Sequence, residues 1–147
     1  MSDITTIGCA SVPGVVLVEY VPFEDVVRFV HVIGAKKMMV VLKSGASWTA
    51  IRGSRYSYSG EYQGRYGHEI RVSLPKWELS GVHISELVKG RYVVRMTDRS
   101  GKRWLVGAHI PLHLKQEEEA PDTATRPQGI TLTFYNNSVY PRWEFSE

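Results

Sequence analysis

The sequence predicts an all-β domain, an antiparallel sandwich or barrel of about eight strands with one long tyrosine-rich hairpin and at most one short helix. Three observations lead there. Short β-branched runs recur along the chain, each closed by glycine or proline. One long segment alternates strictly between apolar and polar residues, the period of a half-buried strand. Helical patterning is confined to one short stretch, "ISELVKG". With 147 residues, 43% of them hydrophobic and 22% charged, residues 1–147 fit a single domain able to bury a sizeable core.

From the N-terminus, "GVVLVEYVP" (14–22) is a β-branched run closed by Pro22 and reads as a buried strand. "VVRFVHVIG" (26–34) and "KMMVVLKSG" (37–45) are two more, each ended by glycine. "SWTAIR" then leads into the tyrosine segment, "RGSRYSYSGEYQGRYGHEIRVSL". There, Tyr56, Tyr58, Tyr62, Tyr66, His68, Ile70, Val72 and Leu74 share one parity, while charges and hydroxyls hold the other. A disordered arginine-glycine arm has no reason to keep a period of two; a strand does.

The stretch 55–73 is too long for one strand, reaching roughly 60 Å at about 3.3 Å per residue. A three-residue hairpin loop keeps both faces, and placing it at Tyr62, Gln63 and Gly64 puts glycine at the left-handed position such loops need. Glu61 then opposes Arg65, Tyr58 opposes His68, Tyr56 opposes Ile70, and Arg55 meets Arg71 unfavourably.

Farther on, Ser85 is placed to cap the helical turn and Lys89-Gly90 to stop it. "RYVVRMTDRSGKRWLVGA" is two strands joined by turn chemistry at Asp98 to Gly101. "LKQEEEAPDTATRPQ" is polar, holds two prolines and shows no period, so residues 115–128 are expected as an exposed irregular loop. "GITLTFYNNSVYPRWEF" gives a strand with Ile130, Leu132 and Phe134 on one face, an Asn-Asn-Ser turn and an aromatic tail.

Composition narrows the function classes. A net charge of +3 is mild; residues 115–128 carry a net −2, leaving +5 elsewhere, short of the clustered basic face of a nucleic-acid binder. Cys9 is the single cysteine, so neither an internal disulfide nor a cysteine-rich zinc site can form, and a small buried hydrophobe is its simplest role. The start "MSDITTIG" has no secretory-signal pattern, and no apolar run has the length of a membrane helix. These features point to a protein kept in a reducing, aqueous compartment or assembled there into something larger.

His109 and His113 are four apart, the spacing for two metal ligands on a helix, but Pro111 between them breaks that argument, and no metal or other cofactor is expected. His31 in "RFVHVIG" reads as a sheet histidine. No G-x-S-x-G, G-x-x-x-x-G-K-[ST] or H-E-x-x-H pattern occurs, so the expectation is a non-enzyme. The acidic run 117–119 reads as a solvated loop rather than a docking patch. The tyrosine face admits two readings: Tyr56, Tyr58 and Tyr66 cover the domain's own core, or the hairpin packs on a neighbouring subunit through Tyr56, Tyr58, Tyr62, Arg65 and Tyr66. Tyr62 and Arg65 at the tip favour an interface.

The C-terminal half, "YVVRMTDRSGKRWLVGAHIPLHL", a polar loop and "GITLTFYNNSVYPRWEF", resembles small structural proteins in the tail or neck modules of Bacteroidetes phages and prophages. The shared pattern is a strand ending in Thr-Asp, a glycine turn, an aromatic-Leu-Val-Gly strand and a closing aromatic-rich strand, over residues 92–145. The resemblance implies a virion component without catalytic residues, assembled in the bacterial host cytoplasm into a homo-oligomeric ring with other virion proteins as partners. The competing expectation is a small β-barrel that binds single-stranded nucleic acid through Tyr56, Tyr58, Tyr66, Arg55 and Arg65.

Overall fold

The computed structural model describes residues 14–75, 87–118 and 129–146. Cys9, the Ser85 cap and residues 119–128 of the expected loop lie outside the described residues. The protein is almost wholly β, with strands making up 64% of it. Eleven strands form one sheet: β1 (Val15–Pro22), β2 (Val26–His31), β3 (Lys37–Leu42), β4 (Thr49–Ile51), β5 (Arg55–Tyr62), β6 (Tyr66–Pro75), β7 (Arg91–Asp98), β8 (Arg103–Val106), β9 (Leu112–Glu118), β10 (Gly129–Ser138) and β11 (Trp143–Phe145). The all-β class is as the sequence predicts. The strand number is larger, because β4, β9 and β11 carry the sequence character of a lead-in, a loop and a tail.

The strand order is β2-β3-β11-β8-β7-β9-β10-β6-β5, and the sheet does not close. Strand β7 is its hub. One edge pairs with β1 from Tyr92 to Asp98; the other pairs with β9 at Arg91 and Tyr92 and with β8 from Val94 to Thr97. The sheet therefore divides along β7 into two wings. All pairings are antiparallel except β11 with β3, which are parallel at Glu144↔Lys37 and Phe145↔Met38.

Alternation along β7 feeds two cores. Tyr92, Val94 and Met96 point into the larger one, with Ile70, Val72, Leu112, Leu132 and Phe134. Val93 faces the smaller one, with Val21, Met38, Leu105 and Ala108, ringed by Phe29, Trp48, Trp143 and Phe145. In β1 the register slips between Val15 and Leu17, which turns Val15 to the same core as Val18 despite their odd spacing. Each fully buried aliphatic or aromatic side chain contributes about 1.5–3 kcal/mol of transfer free energy, so the larger cluster anchors the fold. On the opposite face of β7, Arg95 grips Glu19 through both guanidinium arms, at 3.1 and 2.8 Å, and lies over Trp48 and Phe145.

Three local expectations are corrected. Residues 115–118 belong to β9, paired with β10 from Ile130↔Glu118 to Tyr135↔His113. Leu112 and Leu114 point inward while His113, Lys115 and Glu117 point to solvent, so the period of two was present beneath the polar composition. The Asn-Asn-Ser turn is instead the end of β10, where Asn136 and Ser138 are buried. The hairpin loop sits one residue later than expected, as described next.

Candidate functional site

The tyrosine segment is a hairpin, β5 paired with β6, and the even-numbered face is the buried one: Tyr58, His68, Ile70, Val72 and Leu74 are all nearly inaccessible. Tyr62 opposes Tyr66, so the three-residue loop is Gln63, Gly64 and Arg65, with Gly64 at φ 77°. The shift puts Arg55 opposite Ser73, Tyr56 opposite Val72 and Tyr58 opposite Ile70. It removes the unfavourable facing of Arg55 and Arg71 and packs Tyr62 against Tyr66 with the rings tilted, centroids 4.9 Å apart. The expected Glu61–Arg65 ion pair is lost with it, since Glu61 now faces Gly67. A solvated ion pair of that kind stabilises by about 0–1 kcal/mol, too little to hold the register against better aromatic and polar pairing.

The five tyrosine-face residues divide along the hairpin. Tyr58 lies in the larger core. Tyr56 is half-buried, its hydroxyl donating to the Ile51 carbonyl at 2.8 Å and accepting from the Gly53 amide at 2.9 Å. Tyr66 is half-buried and stacks on His68. Tyr62 is 55% exposed and Arg65 is exposed, both at the tip. Tyr58 is thus unavailable as a contact residue for a partner. The same placement bears on the nucleic-acid expectation: Tyr58 cannot stack on a base, and Arg55 and Arg65 stand at opposite ends of the hairpin.

Beneath the tip is a polar chain that sequence reasoning missed. His68 Nε2 lies 2.9 Å from the Tyr140 carbonyl, which can only accept, so that nitrogen carries the proton. Nδ1 is then an acceptor, and the Tyr58 hydroxyl donates a hydrogen bond to it at 2.7 Å. The Arg142 guanidinium lies over both the Tyr58 ring (5.6 Å) and the Trp104 ring (4.7 Å). Burial holds the His68 imidazole below its ordinary value; the Tyr140 carbonyl opposes that shift and Arg142 reinforces it. Burial pushes the Tyr58 phenol up to about 12, against the pull of Arg142. The Tyr58 hydroxyl and both His68 ring nitrogens are matched, so these bonds lock the segment after β10 across the end of the core. The sequence signal for it was His68 sharing parity with an otherwise apolar set.

His109 and His113 are not brought together. His109, at φ 68°, packs between Phe29 and Tyr140, whereas His113 stands exposed beside Tyr135. His31 packs edge-on against Trp143. Among the described residues no helix is long and apolar enough to cross a membrane. Comparisons with protein-family models, with characterised proteins and with solved structures give no match.

Proposed function

We propose that this chain is a non-enzymatic structural protein of a phage or phage-like particle, a tail or neck ring component whose copies meet through the β5–β6 hairpin. The observation that carries the reading is the hairpin tip. An exposed Tyr62 packed against Tyr66, with an exposed Arg65 in the adjoining loop, offers the aromatic and guanidinium groups that dominate protein interfaces, and the fold makes little use of either. The opposite end of the strand order supplies a counterpart. Strand β2 carries exposed Val27 and Val30, and Ile33 in the following turn is 98% exposed. Two different sheet ends meeting head to tail form a heterologous contact, the kind that closes into rings. The pattern shared with phage tail and neck proteins over residues 92–145 supports the particle assignment.

The test is the mass of the purified protein by light scattering across a concentration series, with Tyr62→Ala/Arg65→Ala alongside the parent chain. Exposed turn side chains contribute within about 0.5 kcal/mol to folding, so the variant should melt like the parent. Association should weaken by about 2 kcal/mol, close to thirtyfold. A variant that unfolds, or that associates as the parent does, overturns the tip as the contact.

A further inference from the structure

The outer face of the same wing carries a groove that shares only Arg65 with the assembly reading. One missing side chain deepens its floor. On the odd-numbered face, Glu61, Gly67 and Asn137 form a cross-strand row over β5, β6 and β10, and the next row runs through Ser59, Glu69 and Tyr135. Gly67 leaves a gap between Glu61 and Asn137 in the floor of a polar groove of about 600 Å³. A Cβ at Gly67 would meet Asn137 Oδ1 at only 3.5 Å and no other atom closer than 3.8 Å, so neither close packing nor a left-handed backbone demands glycine there.

The lining defines the ligand. Its charged lining is two carboxylates, Glu61 and Glu69, and two cations, Arg65 and Lys115, with no net charge. Glu69 is itself paired with Arg71 at 3.0 Å and Lys115 with Glu117 at 3.3 Å, which leaves the sum unchanged. A polyanion such as a nucleic acid would meet both carboxylates, and a basic peptide would meet both cations, each unfavourably. What remains matched is a neutral ligand rich in hydroxyl groups. Carboxylate, amide and guanidinium groups each accept or donate pairs of hydrogen bonds, the pattern that vicinal hydroxyls present. Tyr135, 38% exposed, is the aromatic ring of the floor; the Lys115 ammonium lies over it at 5.3 Å and His113 tilts against it. A sugar ring stacks there by its C–H face once the flexible Lys115 side chain swings aside. We infer that the groove over Gly67 and Tyr135 binds a neutral oligosaccharide. This inference stands apart from the assembly reading.

The experiment is calorimetric titration of the full chain with neutral hexaoses of β-linked glucose, α-linked glucose, β-linked N-acetylglucosamine and α-linked mannose. A heparin hexasaccharide and a single-stranded oligonucleotide serve as anionic probes. Saturable binding of at least one neutral hexaose at a Kd of about 1 mM or tighter is expected. Tyr135→Ala should weaken it at least about tenfold, the loss of one aromatic contact. Gly67→Leu should abolish it by filling the gap, and both variants should melt like the parent chain. Absence of binding to every neutral hexaose, binding unaffected by both variants, or binding of the anionic probes alone with loss in salt, each overturns the proposal. Light scattering on the same two variants reads subunit association separately, so failure here leaves the tip contact standing on its own test.

Discussion

A neutral His68 is the condition on which the chain from Tyr58 to Tyr140 holds. Protonation turns Nδ1 from acceptor to donor, facing the Tyr58 hydroxyl with Arg142 close by. Because the folded-state value is depressed, the unfolded chain binds this proton first as pH falls. Stability should therefore be flat above the ordinary histidine value of about 6.5 and decline below it. At the other limit the Tyr58 phenol is raised to about 12, so stability should decline again once pH rises past the ordinary phenol value of about 10. Urea midpoints between those limits should form a plateau; a midpoint rising as pH drops below 6.5 would exclude a buried neutral His68. Tyr58→Phe leaves Nδ1 without its donor and should lower stability by about 1–3 kcal/mol at neutral pH. Gly60 belongs to the same unit, since a Cβ there would run into the Tyr58 hydroxyl.

Hairpins are where the sequence was most legible and where its limits are clearest. Strict parity identified the buried face of β5 and β6, and a three-residue loop followed from it, because only an odd loop keeps the faces in phase. The exact register depended on which pairings win, and a one-step shift changed every partner without moving any residue to the other face. The turn at Asp98 was legible for a stronger reason. Its Oδ1 accepts from the Ser100 amide, the Ser100 hydroxyl and the Lys102 amide, and its Oδ2 from Trp104 Nε1. Those bonds, the Ser100 hydroxyl foremost, hold the Asp98 carboxyl below its ordinary value. Asp98→Ala should destabilise by about 1 kcal/mol and remove the part of acid sensitivity that appears as pH falls through this depressed value. Gly64→Ala should cost about 1–2 kcal/mol for the left-handed backbone alone, since no atom lies within 4 Å of its added Cβ. Strand β9 escaped detection because its inner residues are only two leucines, and its solvent face resembles a loop in composition.

At the scale of the whole molecule, the two wings are joined where local sequence has least to say. Strand β11 pairs with β8 on one side and, in parallel, with β3 on the other, linking residues more than a hundred positions apart at Glu144↔Lys37. No periodicity of three residues can announce such a strand, and its aromatic content reads equally well as a tail. Yet among the described residues β3 has only β2 and β11 as sheet neighbours, so there the β2–β3 hairpin joins the rest of the sheet through β11. Trp143 also meets His31, and Phe145 packs against Trp48 beneath the Arg95 guanidinium. A chain ending at Arg142 keeps the Tyr140 carbonyl on His68 but removes this bridge. Its global stability should fall by about 2–4 kcal/mol, the loss of two half-buried aromatic side chains. The loss should not be uniform. In hydrogen exchange, amides of β2 and β3 should lose protection while those of β6, β9 and β10, set in the larger core, retain it. Equal loss across both wings would mean that the two cores unfold as one unit, and that β7 rather than β11 is the joint between them.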